Sequence, residues 1–473
     1  MADLSCDICV IGGGSGGLSV AAGASQMGAD VILLEGHKMG GDCLNYGCVP
    51  SKALLAAAKA AYQKGQGADL GVASVSPQVD FAAAKDHVQN VIASIAPHDS
   101  VERFEGLGVR VTRGYGRFLS PKSVAVGQDV ITARRFVIAT GSSPFVPPIK
   151  GLGDIPFLTN ETLFDLRRQP EHLIIIGGGP IGLEMAQAHR RLGCDVTVVE
   201  GARALSRDDP DFAALLVAQL QSEGVTVIEG DPVAEVTGQA GEISVITKSG
   251  QEISGSHLLV AVGRKANLDK LDLHKGGIDY SPQAIEVDAA LRSVSNRRVY
   301  AIGDVAGHGQ YTHLAGYHAG VVVRSALLGL PAKACHDHIP AVTYTSPELA
   351  QIGLTEAQAR KEYGTKLTVV EADFADNDRA RAEAIAQGRV KAMIVKGKPV
   401  GVTIIGPQAG ELIGAWSLIM ANGLKISALS NSVLPYPTLA EVNKRVAGAY
   451  FSPKLFDNPL VKKIVRTVQR WLP

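Results

Sequence analysis

Apolar and polar positions near the start of the chain follow a strand, helix, strand order. Asp7 to Ile11 is an apolar run that predicts a β-strand, and Val31 to Leu34 predicts a second strand that ends at Glu35. Between them the sequence is compatible with a helix as far as Met27. Two short apolar strands separated by a helical stretch are typical of a βαβ unit in a parallel sheet.

The turn after the first strand is a glycine cluster. Gly12, Gly14 and Gly17 form a G-x-G-x-x-G pattern, and Glu35 lies 23 positions after Gly12. In this context glycines let the backbone approach a pyrophosphate at a helix N-terminus, and the acid at the end of the second strand holds ribose hydroxyls. The combination of strand, glycines, helix and acid predicts a dinucleotide site.

A second copy of this arrangement follows. It consists of the strand Leu173 to Ile176, the glycines Gly177, Gly179 and Gly182, the helix Ile181 to Leu192, the strand Val196 to Val199 and the acid Glu200, which is 23 positions after Gly177. Two fingerprints predict two dinucleotides, the arrangement that a flavin and a nicotinamide need for hydride transfer. Because Glu200 would repel a 2′-phosphate, the pattern favours NADH over NADPH, although Arg203 and Arg207 lie close enough to offset that charge.

Other apolar runs predict the elements around these two units. They are helices with loops from Tyr62 to Val111, including an amphipathic pattern from Phe81 to Phe104, and strands at Arg135 to Ile138, Leu258 to Gly263 and Val299 to Ile302. Thr140 and Gly141 form a turn suited to lie beside a nucleotide, and Gly263 ends the strand that closes the second nucleotide unit. Asp304, after Gly303, either binds a flavin's ribityl hydroxyl or belongs to an ordinary turn.

The pattern changes in the last third of the chain. Strand runs such as Met393 to Val395 and Val400 to Ile405 alternate there with helices, without a further nucleotide motif. From Ile339 onward we therefore expect an oligomerisation domain. An earlier domain boundary is predicted at Pro147 and Pro148, where prolines punctuate the chain.

Composition narrows the class of protein. The 473 residues predict about three domains, and 46 basic against 46 acidic residues give no bulk field that would attract nucleic acid. The sequence has no secretory signal and no apolar run long enough to span a bilayer, so we expect a cytoplasmic protein. Six cysteines are too few for a disulfide framework there. Cys6, Cys9 and Cys194 are predicted to be buried, and the spacing in Cys335-His336-Asp337-His338 fits no standard metal site.

Cys43 and Cys48 carry the candidate chemistry. They precede a helical pattern from Lys52 to Tyr62. Positions i and i+5 of a regular helix lie roughly 8 to 9 Å apart, which exceeds the span of a disulfide. The pair can therefore close only where the helix start is irregular, and Gly47 supplies that backbone freedom. A helix N-terminus lowers a thiol pKa, so we expect a redox-active pair with one usable thiolate.

At this point the sequence resembles the flavin-dependent pyridine nucleotide-disulfide oxidoreductases, which include lipoamide dehydrogenase, glutathione reductase and mercuric reductase. The block G-G-x-C-x4-C-x-P-S-K from Gly40 to Lys52 is specific to them, and both fingerprints and Gly303-Asp304 follow in the family's order. The resemblance implies an α/β homodimer with two Rossmann-like domains and an α+β dimerisation domain. The expected ranges are 1–148 for FAD, 149–267 for NAD, 268–338 for a central domain completing the FAD site, and 339–473 for the interface.

The resemblance also implies roles for single residues. Cys43 is similar to the interchange thiol that meets the substrate, and Cys48 to the charge-transfer thiol beside the flavin. Lys52 is similar to the cation near the flavin ring, paired with Glu184. The implied FAD ligands are Gly12, Gly14, Gly17, Glu35, Gly41, Lys52, Thr140, Gly141, Gly303 and Asp304, and the implied NAD ligands are Gly177, Gly179, Gly182, Glu200 and Gly263; no metal site is expected.

One departure from the family concerns proton transfer. Tyr436 stands where many members carry a His before Pro-Thr, while Glu441 is retained. An unperturbed tyrosine, with a pKa of about 10, is a poor proton acceptor near neutrality. Tyrosine at this place is similar to mercuric reductase, but the C-terminal cysteine pair of those enzymes has no counterpart here. His313 and His318 either supply another proton relay or support the flavin site.

The segment 459–473 has its own pattern. Apolar and basic residues alternate at helical spacing; the apolar ones are Leu460, Val461, Ile464, Val465, Val468, Trp471 and Leu472, and the basic ones are Lys462, Lys463, Arg466 and Arg470. Two interpretations stay open: a basic amphipathic helix on an anionic membrane surface, and a helix packed on the dimer.

The functional expectation is electron transfer from NADH through FAD to the Cys43/Cys48 pair and on to a small disulfide or dithiol, as in dihydrolipoamide dehydrogenase. The alternatives are reduction of a thiophilic metal ion, as in mercuric reductase, and a membrane-surface NADH:quinone diaphorase.

Overall fold

The computed structural model describes residues 2–472. Met1 and Pro473, which fall in the expected ranges 1–148 and 459–473, lie outside the described residues. Within the described part of the chain, no helix combines the length and apolar character needed to cross a bilayer. Short 3-10 helices lie at Ala68–Leu70, Ala96–Asp99, Leu152–Asp154, Leu163–Asp165, Gly303–Ala306, Gly364–Lys366 and Phe374–Asp376.

The first unit is a parallel sheet extended by an antiparallel ribbon. Its strands are β1 (Asp3–Ile11), β2 (Val31–Glu35), β3 (Arg110–Arg113), β4 (Gly116–Ser120), β5 (Ser123–Val126), β6 (Asp129–Ile138) and β7 (Ser142–Pro144), and its helices are α1 (Ser15–Gln26), α2 (Gly41–Asn45), α3 (Cys48–Lys64), α4 (Phe81–Ile95) and α5 (Val101–Gly106). Strand β1 pairs in parallel with both β2 and β6. Because both faces of such a strand are covered, its second half is apolar and buried.

The second unit repeats the parallel arrangement, with strand order β10-β9-β8-β14. It comprises β8 (His172–Ile176), β9 (Asp195–Glu200), β10 (Val225–Glu229), β11 (Val233–Gln239), β12 (Glu242–Thr247), β13 (Glu252–Gly255), β14 (His257–Val260) and β15 (Arg264–Ala266), with α6 (Pro180–Arg191) and α7 (Pro210–Ser222). The predicted strand Leu258 to Gly263 is wrong at its end, because β14 stops at Val260. Gly263 turns the chain with φ +143°, and Arg264 opens β15, which pairs with β7.

The remaining residues complete the first sheet and then form a third unit. The elements are β16 (Val299–Ala301), α8 (Thr312–Ala326), β17 (Pro340–Thr343), β18 (Glu348–Gly353), α9 (Glu356–Tyr363), β19 (Leu367–Asp373), α10 (Asp378–Ala382), β20 (Arg389–Val395), β21 (Lys398–Gly406), α11 (Ala409–Ala421), α12 (Ser427–Ser430), α13 (Glu441–Phe456) and α14 (Pro459–Trp471). Strand β16 pairs in parallel with β6, so the segment expected as a central domain shares the first sheet. Strands β17 to β21 form an antiparallel sheet, which gives the α+β unit expected from the sequence.

The amphipathic pattern from Phe81 to Phe104 is not one helix. Helix α4 ends at Ile95, a 3-10 turn containing Pro97 follows, and α5 starts afresh with Ser100 as its N-cap. The Ser100 hydroxyl accepts the Arg103 backbone N–H at 3.2 Å. Proline has no amide hydrogen, which favours the break, and the serine cap restarts the helix.

Three cysteines lie in the cores, as predicted. Cys6 and Cys9 belong to the buried cluster around the first sheet, and Cys194 belongs to that around the second. Burial raises the pKa of the Cys6 thiol to about 12. These cysteines therefore stay protonated and serve as packing residues.

Candidate active site

Cys43 and Cys48 lie on two separate short helices. Cys43 belongs to α2, whereas Cys48 is the first residue of α3, and Gly47 between them has φ −117° and ψ −109°. A Cβ at Gly47 would lie 2.8 Å from the Asp42 carboxylate. The irregular helix start that the spacing required is therefore present, and it brings the two thiols into hydrogen-bond contact.

The two thiols have opposite pKa shifts. The hydrogen bond from Cys43 is the main cause that lowers the pKa of Cys48 to about 6, with further lowering by Thr312 and the Lys52 charge. The same hydrogen bond, together with burial, raises the pKa of Cys43. At neutral pH the negative charge therefore lies on Cys48 and the proton on Cys43.

Thr312 contributes to this polarisation from a distant part of the chain. Its Oγ1 lies 3.4 Å from the Cys48 Sγ, and Thr312 is the first residue of α8. When Cys48 is a thiolate the hydroxyl donates to the sulfur. The partial positive charge of the α8 N-terminus acts in the same direction.

The ammonium group of Lys52 is held near the cysteines by one residue of the second unit and one residue of the third. Its Nζ donates to Glu184 Oε2 at 2.7 Å and lies 4.3 Å from the centre of the Tyr344 ring. The backbone N–H of Tyr344 donates to Glu184 Oε1 at 2.9 Å. Glu184 is buried on α6, so the carboxylate serves both partners and fixes the ammonium group near the cysteines.

The first glycine fingerprint forms a tight turn against the cysteine block. A Cβ at Gly12, which has φ +111°, would lie 2.4 Å from the Ala139 carbonyl oxygen. Glu35 accepts the backbone N–H of Gly13 at 2.6 Å and that of His37 at 2.5 Å. Gly40 N–H donates to the Gly13 carbonyl at 2.9 Å, which joins this turn to the segment that begins α2.

Asp304 is linked to the cysteine block through two residues that the sequence did not single out. The Ser142 hydroxyl donates to Asp304 Oδ2 at 2.5 Å, and Arg264 Nε donates to the same hydroxyl at 2.7 Å. Arg264 also forms an ion pair with Asp42 at 3.0 Å. Burial raises the pKa of Asp304. Asp304 is therefore connected through Ser142 and Arg264 to Asp42, the residue that precedes Cys43.

Several residues that were predicted from the sequence make hydrogen bonds next to this network. Gly303 N–H donates to Nδ1 of the buried His318 at 3.1 Å, and His318 Nε2 contacts His336 Nε2 at 2.9 Å. Burial lowers the pKa of His318 to about 4, so it is neutral. Gly141 and Thr140 hold Asn267 by backbone contacts. His313 instead contacts the Pro340 carbonyl at 2.8 Å.

The second fingerprint is built in the same way. Glu200 accepts the N–H groups of Gly178 at 2.7 Å and Ala202 at 2.9 Å. Gly182 must be small, since a Cβ there would lie 2.0 Å from the Gly177 carbonyl oxygen. Gly179 caps α6 without a side-chain hydrogen bond.

Arg203 and Arg207 differ in how far they are engaged. The Arg203 guanidinium donates to the carbonyl oxygens of Leu205, Ser206 and Asp208. All three bonds come from Nη2, whereas Nη1 is buried and has no hydrogen-bond partner among the described residues. Arg207 contributes a charge that, together with Arg203, opposes the rise in the Asp208 pKa to about 6 caused by burial.

Tyr436 and Glu441 lie apart from the cysteines of the same chain. Tyr436 is 71 % exposed, and its hydroxyl donates to Asp378 at 3.0 Å, which raises the pKa of the phenol. Glu441 accepts the Thr438 N–H at 3.4 Å at the start of α13. Within residues 2–472 of one chain, neither side chain hydrogen-bonds to the cysteine block.

The sequence of the chain matches the profiles of a known protein family. Residues 6–319 match the sequence profile described as pyridine nucleotide-disulphide oxidoreductase, and residues 339–447 match its dimerisation domain. The chain belongs to this family. It is an FAD-dependent pyridine nucleotide-disulfide oxidoreductase that uses NAD(P)H, and the dimerisation-domain match supports a homodimer.

Relatives of this oxidoreductase carry two kinds of name. A dihydrolipoyl dehydrogenase of Bacillus subtilis is 34% identical over 92% of this chain and 96% of that protein. A mercuric reductase of Lysinibacillus sphaericus is 32% identical over 93% of this chain and 82% of that protein. The HOCl-induced flavoprotein disulfide reductase RclA of Escherichia coli, in its Cu(II) complex, has a TM-score of 0.84 at 27% identity, covering 93% of this chain and 99% of that one.

The residues fit the cofactors that the family uses. Gly14 is the N-cap of helix α1 and supplies no side-chain cap, so the first-turn amides of α1 are donors suited to a pyrophosphate. A Cβ at Gly14 would meet nothing closer than 3.9 Å, which leaves the turn open to close approach. Glu35 and Asp304 carry carboxylate oxygens that could accept from ribose and ribityl hydroxyls. Gly179 at the start of α6 and Glu200 repeat this combination of amide donors and a carboxylate acceptor, which fits a second dinucleotide.

Sequence reasoning missed four contacting residues: Thr312, Tyr344, Arg264 and Ser142. Thr312 immediately precedes His313, which the sequence did single out, but a lone threonine carries no motif. Tyr344 and Arg264 act through contacts with residues of other domains, far away in the sequence. The strand-end position of Arg264 is the one signal in the sequence that pointed toward it.

Proposed function

We propose that this oxidoreductase takes electrons from NADH and delivers them through the Cys43/Cys48 dithiol to a low-molecular-weight disulfide. The observation that carries the proposal is the polarised thiol pair, with the Cys48 pKa lowered to about 6 beside Lys52 and Thr312. Bound FAD supplies two-electron exchange between the nicotinamide and the cysteines. Lys52, whose ammonium group is held by Glu184, stabilises negative charge at the site where bound FAD would meet the cysteines.

The thiol steps conserve atoms and electrons, with the acceptor disulfide as the only oxidant. The Cys43 proton moves along its hydrogen bond to Cys48, and the Cys43 thiolate attacks one sulfur of the acceptor disulfide, which releases the first thiolate. Cys48 then loses its proton and attacks the Cys43 sulfur, which releases the second thiolate and closes the Cys43–Cys48 disulfide. Two electrons and one proton from NADH, with a second proton from water, restore the dithiol and complete two acceptor thiols.

A preference for NADH rests on Glu200. Its carboxylate lies at the end of β9, where a 2′-phosphate would approach, and one nitrogen of the Arg203 guanidinium, Nη2, donates to three carbonyl groups of its own loop. Comparison of kcat/KM for NADH and NADPH tests this preference. A clearly better NADPH rate would contradict the role given to Glu200.

Tyr436 favours reduction of a disulfide over oxidation of dihydrolipoamide. We propose that the dimer brings Tyr436 and Glu441 of one protomer beside the cysteines of the other. With its pKa raised by Asp378, the phenol remains protonated near neutrality, so it is suited to donating a hydrogen bond to a departing thiolate and not to taking a proton from a dihydrolipoamide thiol. A steady-state screen with NADH against lipoamide, glutathione disulfide, mercuric ion and quinone identifies the acceptor.

Reduction of a thiophilic metal ion is the second candidate. The relatives named mercuric reductase favour it, as does the partial exposure of Cys43, the thiol expected to meet the substrate. Either thiol-based activity should be lost in Cys43→Ser. Quinone reduction that survives this substitution would instead support the diaphorase alternative.

Because both thiol reactions need reduced cysteines, we place the protein in the cytoplasm.

A further inference from the structure

Helix α14 is a separate structural element on the surface. Its N-cap is Asn458, whose side chain accepts the Leu460 N–H at 3.0 Å, and Pro459 occupies the first helical position. These signals start the helix independently of α13. No side chain of α14 is buried among residues 2–472.

Apolar and basic residues lie on opposite faces of this helix. At 100° per residue, the apolar positions fall within an arc of about 140°, and the basic positions fall outside it. The apolar residues are Leu460, Val461, Ile464, Val465, Val468 and Trp471, and the basic residues are Lys462, Lys463, Arg466 and Arg470. Trp471 is 83 % exposed. Such a face requires a partner that is apolar at its centre and anionic at its rim.

The charge of α14 distinguishes between two occupants. The helix carries four cations and no acidic residue in a chain whose 46 basic and 46 acidic residues balance. Lipid phosphates would attract these cations, whereas a second, symmetry-related copy of α14 packed on the apolar face would add four more cations with no acidic residue on either helix to balance them. The match to the dimerisation domain ends at residue 447, before α14 begins.

Length sets the orientation of the helix. Thirteen residues span about 20 Å, less than the roughly 30 Å hydrocarbon core of a bilayer. The helix therefore fits parallel to the surface, with its apolar arc at the acyl boundary and Trp471 at headgroup depth.

We propose that α14 binds the surface of an anionic phospholipid bilayer and anchors the oxidoreductase there. A homodimer presents two such helices, so one membrane contact raises the local concentration of the second. Vesicle binding measures this property without any enzymatic readout, so it stands or falls independently of the proposed electron acceptor.

Tryptophan fluorescence of the full-length holoenzyme provides the test. The chain has two tryptophans, of which Trp416 is buried in the third unit and Trp471 is exposed on α14. Vesicles of phosphatidylcholine with phosphatidylglycerol should shift the Trp471 emission to shorter wavelength and protect it from an aqueous quencher. Flotation should recover the protein with these vesicles, and at least about 10-fold less with pure phosphatidylcholine. In Trp471→Phe the shift should disappear while flotation persists.

Two variants separate the apolar face from the charge. Ile464→Ser with Val468→Ser should lower vesicle affinity at least about 10-fold. Changing all four α14 cations to Gln should abolish the preference for anionic lipid, whereas the matched control, Gln at the exposed lysines Lys248, Lys333, Lys361 and Lys366, should bind like the parent protein. No flotation of the parent protein at 50 mM salt would overturn the proposal. A second pair of results would also overturn it: Trp471 of the parent protein is shielded before vesicles are added, and the Ile464→Ser/Val468→Ser variant is monomeric. Together these results would mean that α14 packs on the second copy of the chain.

Discussion

At the scale of single residues, the chemistry depends on how charge is stabilised at Cys48. The cysteine receives a hydrogen bond from Cys43 and another from Thr312, and the ammonium group of Lys52 lies nearby. Each contribution comes from a different helix. Replacement of Thr312 or Lys52 should therefore move the Cys48 pKa without removing either cysteine.

We expect Thr312→Val to raise the Cys48 pKa by about 1 to 2 pH units. A hydrogen bond to a charged group contributes roughly 1.5 to 3 kcal/mol, and one pH unit corresponds to about 1.4 kcal/mol. The Cys48 thiolate forms as pH rises through its pKa, so the thiolate-to-flavin absorbance of the two-electron-reduced enzyme should appear near pH 6 in the parent protein and at higher pH in the variant. Thr312→Ser, which retains the hydroxyl, serves as the control. Coincident titrations for Val and Ser would show that the hydroxyl does not stabilise the thiolate.

The second residue-scale prediction concerns Tyr436. In Tyr436→His, an imidazole with a pKa of about 6.5 replaces a phenol whose pKa is raised by Asp378. General acid–base catalysis typically contributes about 10²- to 10⁴-fold, so dihydrolipoamide oxidation by NAD at pH 7.5 should increase at least about 10-fold. Tyr436→Phe is the control and should show no gain. An unchanged rate in the His variant would mean that this position does not reach the substrate thiol.

At the scale of elements, the break between α2 and α3 determines whether the cysteines can meet. A Cβ at Gly47 would lie 2.8 Å from the Asp42 carboxylate and 3.1 Å from the Asp42 carbonyl oxygen, so Asp42 would have to move. Without that break, Cys43 and Cys48 would lie on one helix at a separation that a disulfide cannot span.

Gly47→Ala should therefore cost about 1 to 3 kcal/mol of stability and slow reoxidation of the dithiol. Gly65→Ala is the matched control at the other end of α3, because its Cβ would lie 3.5 Å from its nearest neighbour and its φ is −84°. Thermal unfolding and stopped-flow reduction of the two variants provide the comparison. Equal stability and equal rates in both would refute the steric argument.

At the scale of the whole molecule, a buried lysine joins the second and third units. Lys391 of β20 contacts Asp209, the N-cap of α7, at 3.1 Å and Glu356 at 2.8 Å. The Lys391 and Asp209 side chains are each 2% exposed. Removal of one partner leaves a buried charge without compensation, which is costly in proteins.

Lys391→Met should lower the unfolding free energy by about 3 to 5 kcal/mol, because Asp209 loses its cation. The exposed Lys398→Met on the neighbouring strand should change it by less than about 0.5 kcal/mol. Adding Asp209→Asn to Lys391→Met should recover part of the loss, since the unpaired charge is then absent. Equal urea midpoints for Lys391→Met and Lys398→Met would show that the pair does not stabilise the junction.

Much of this architecture was predictable because its signals are local. Both nucleotide units were identified from strand, glycine and acid positions within about thirty residues of each other. The breaks at Pro97 and Val260 were missed, because an apolar pattern continues across both while proline chemistry and strand pairing end the elements.

The sequence by itself determined the two dinucleotide units, the Cys43/Cys48 pair at an irregular helix start and the segregated faces of α14, since each depends on the spacing of neighbouring residues. The family resemblance implied that Cys48 is the charge-transfer thiol, but only the tertiary structure showed which groups stabilise its charge. Thr312 is 264 positions from Cys48, and Glu184 is 132 positions from Lys52. Periodicity holds no record of such contacts, because they form only when the sheets pack and bring the N-terminus of α8, helix α6 and the third unit against α3.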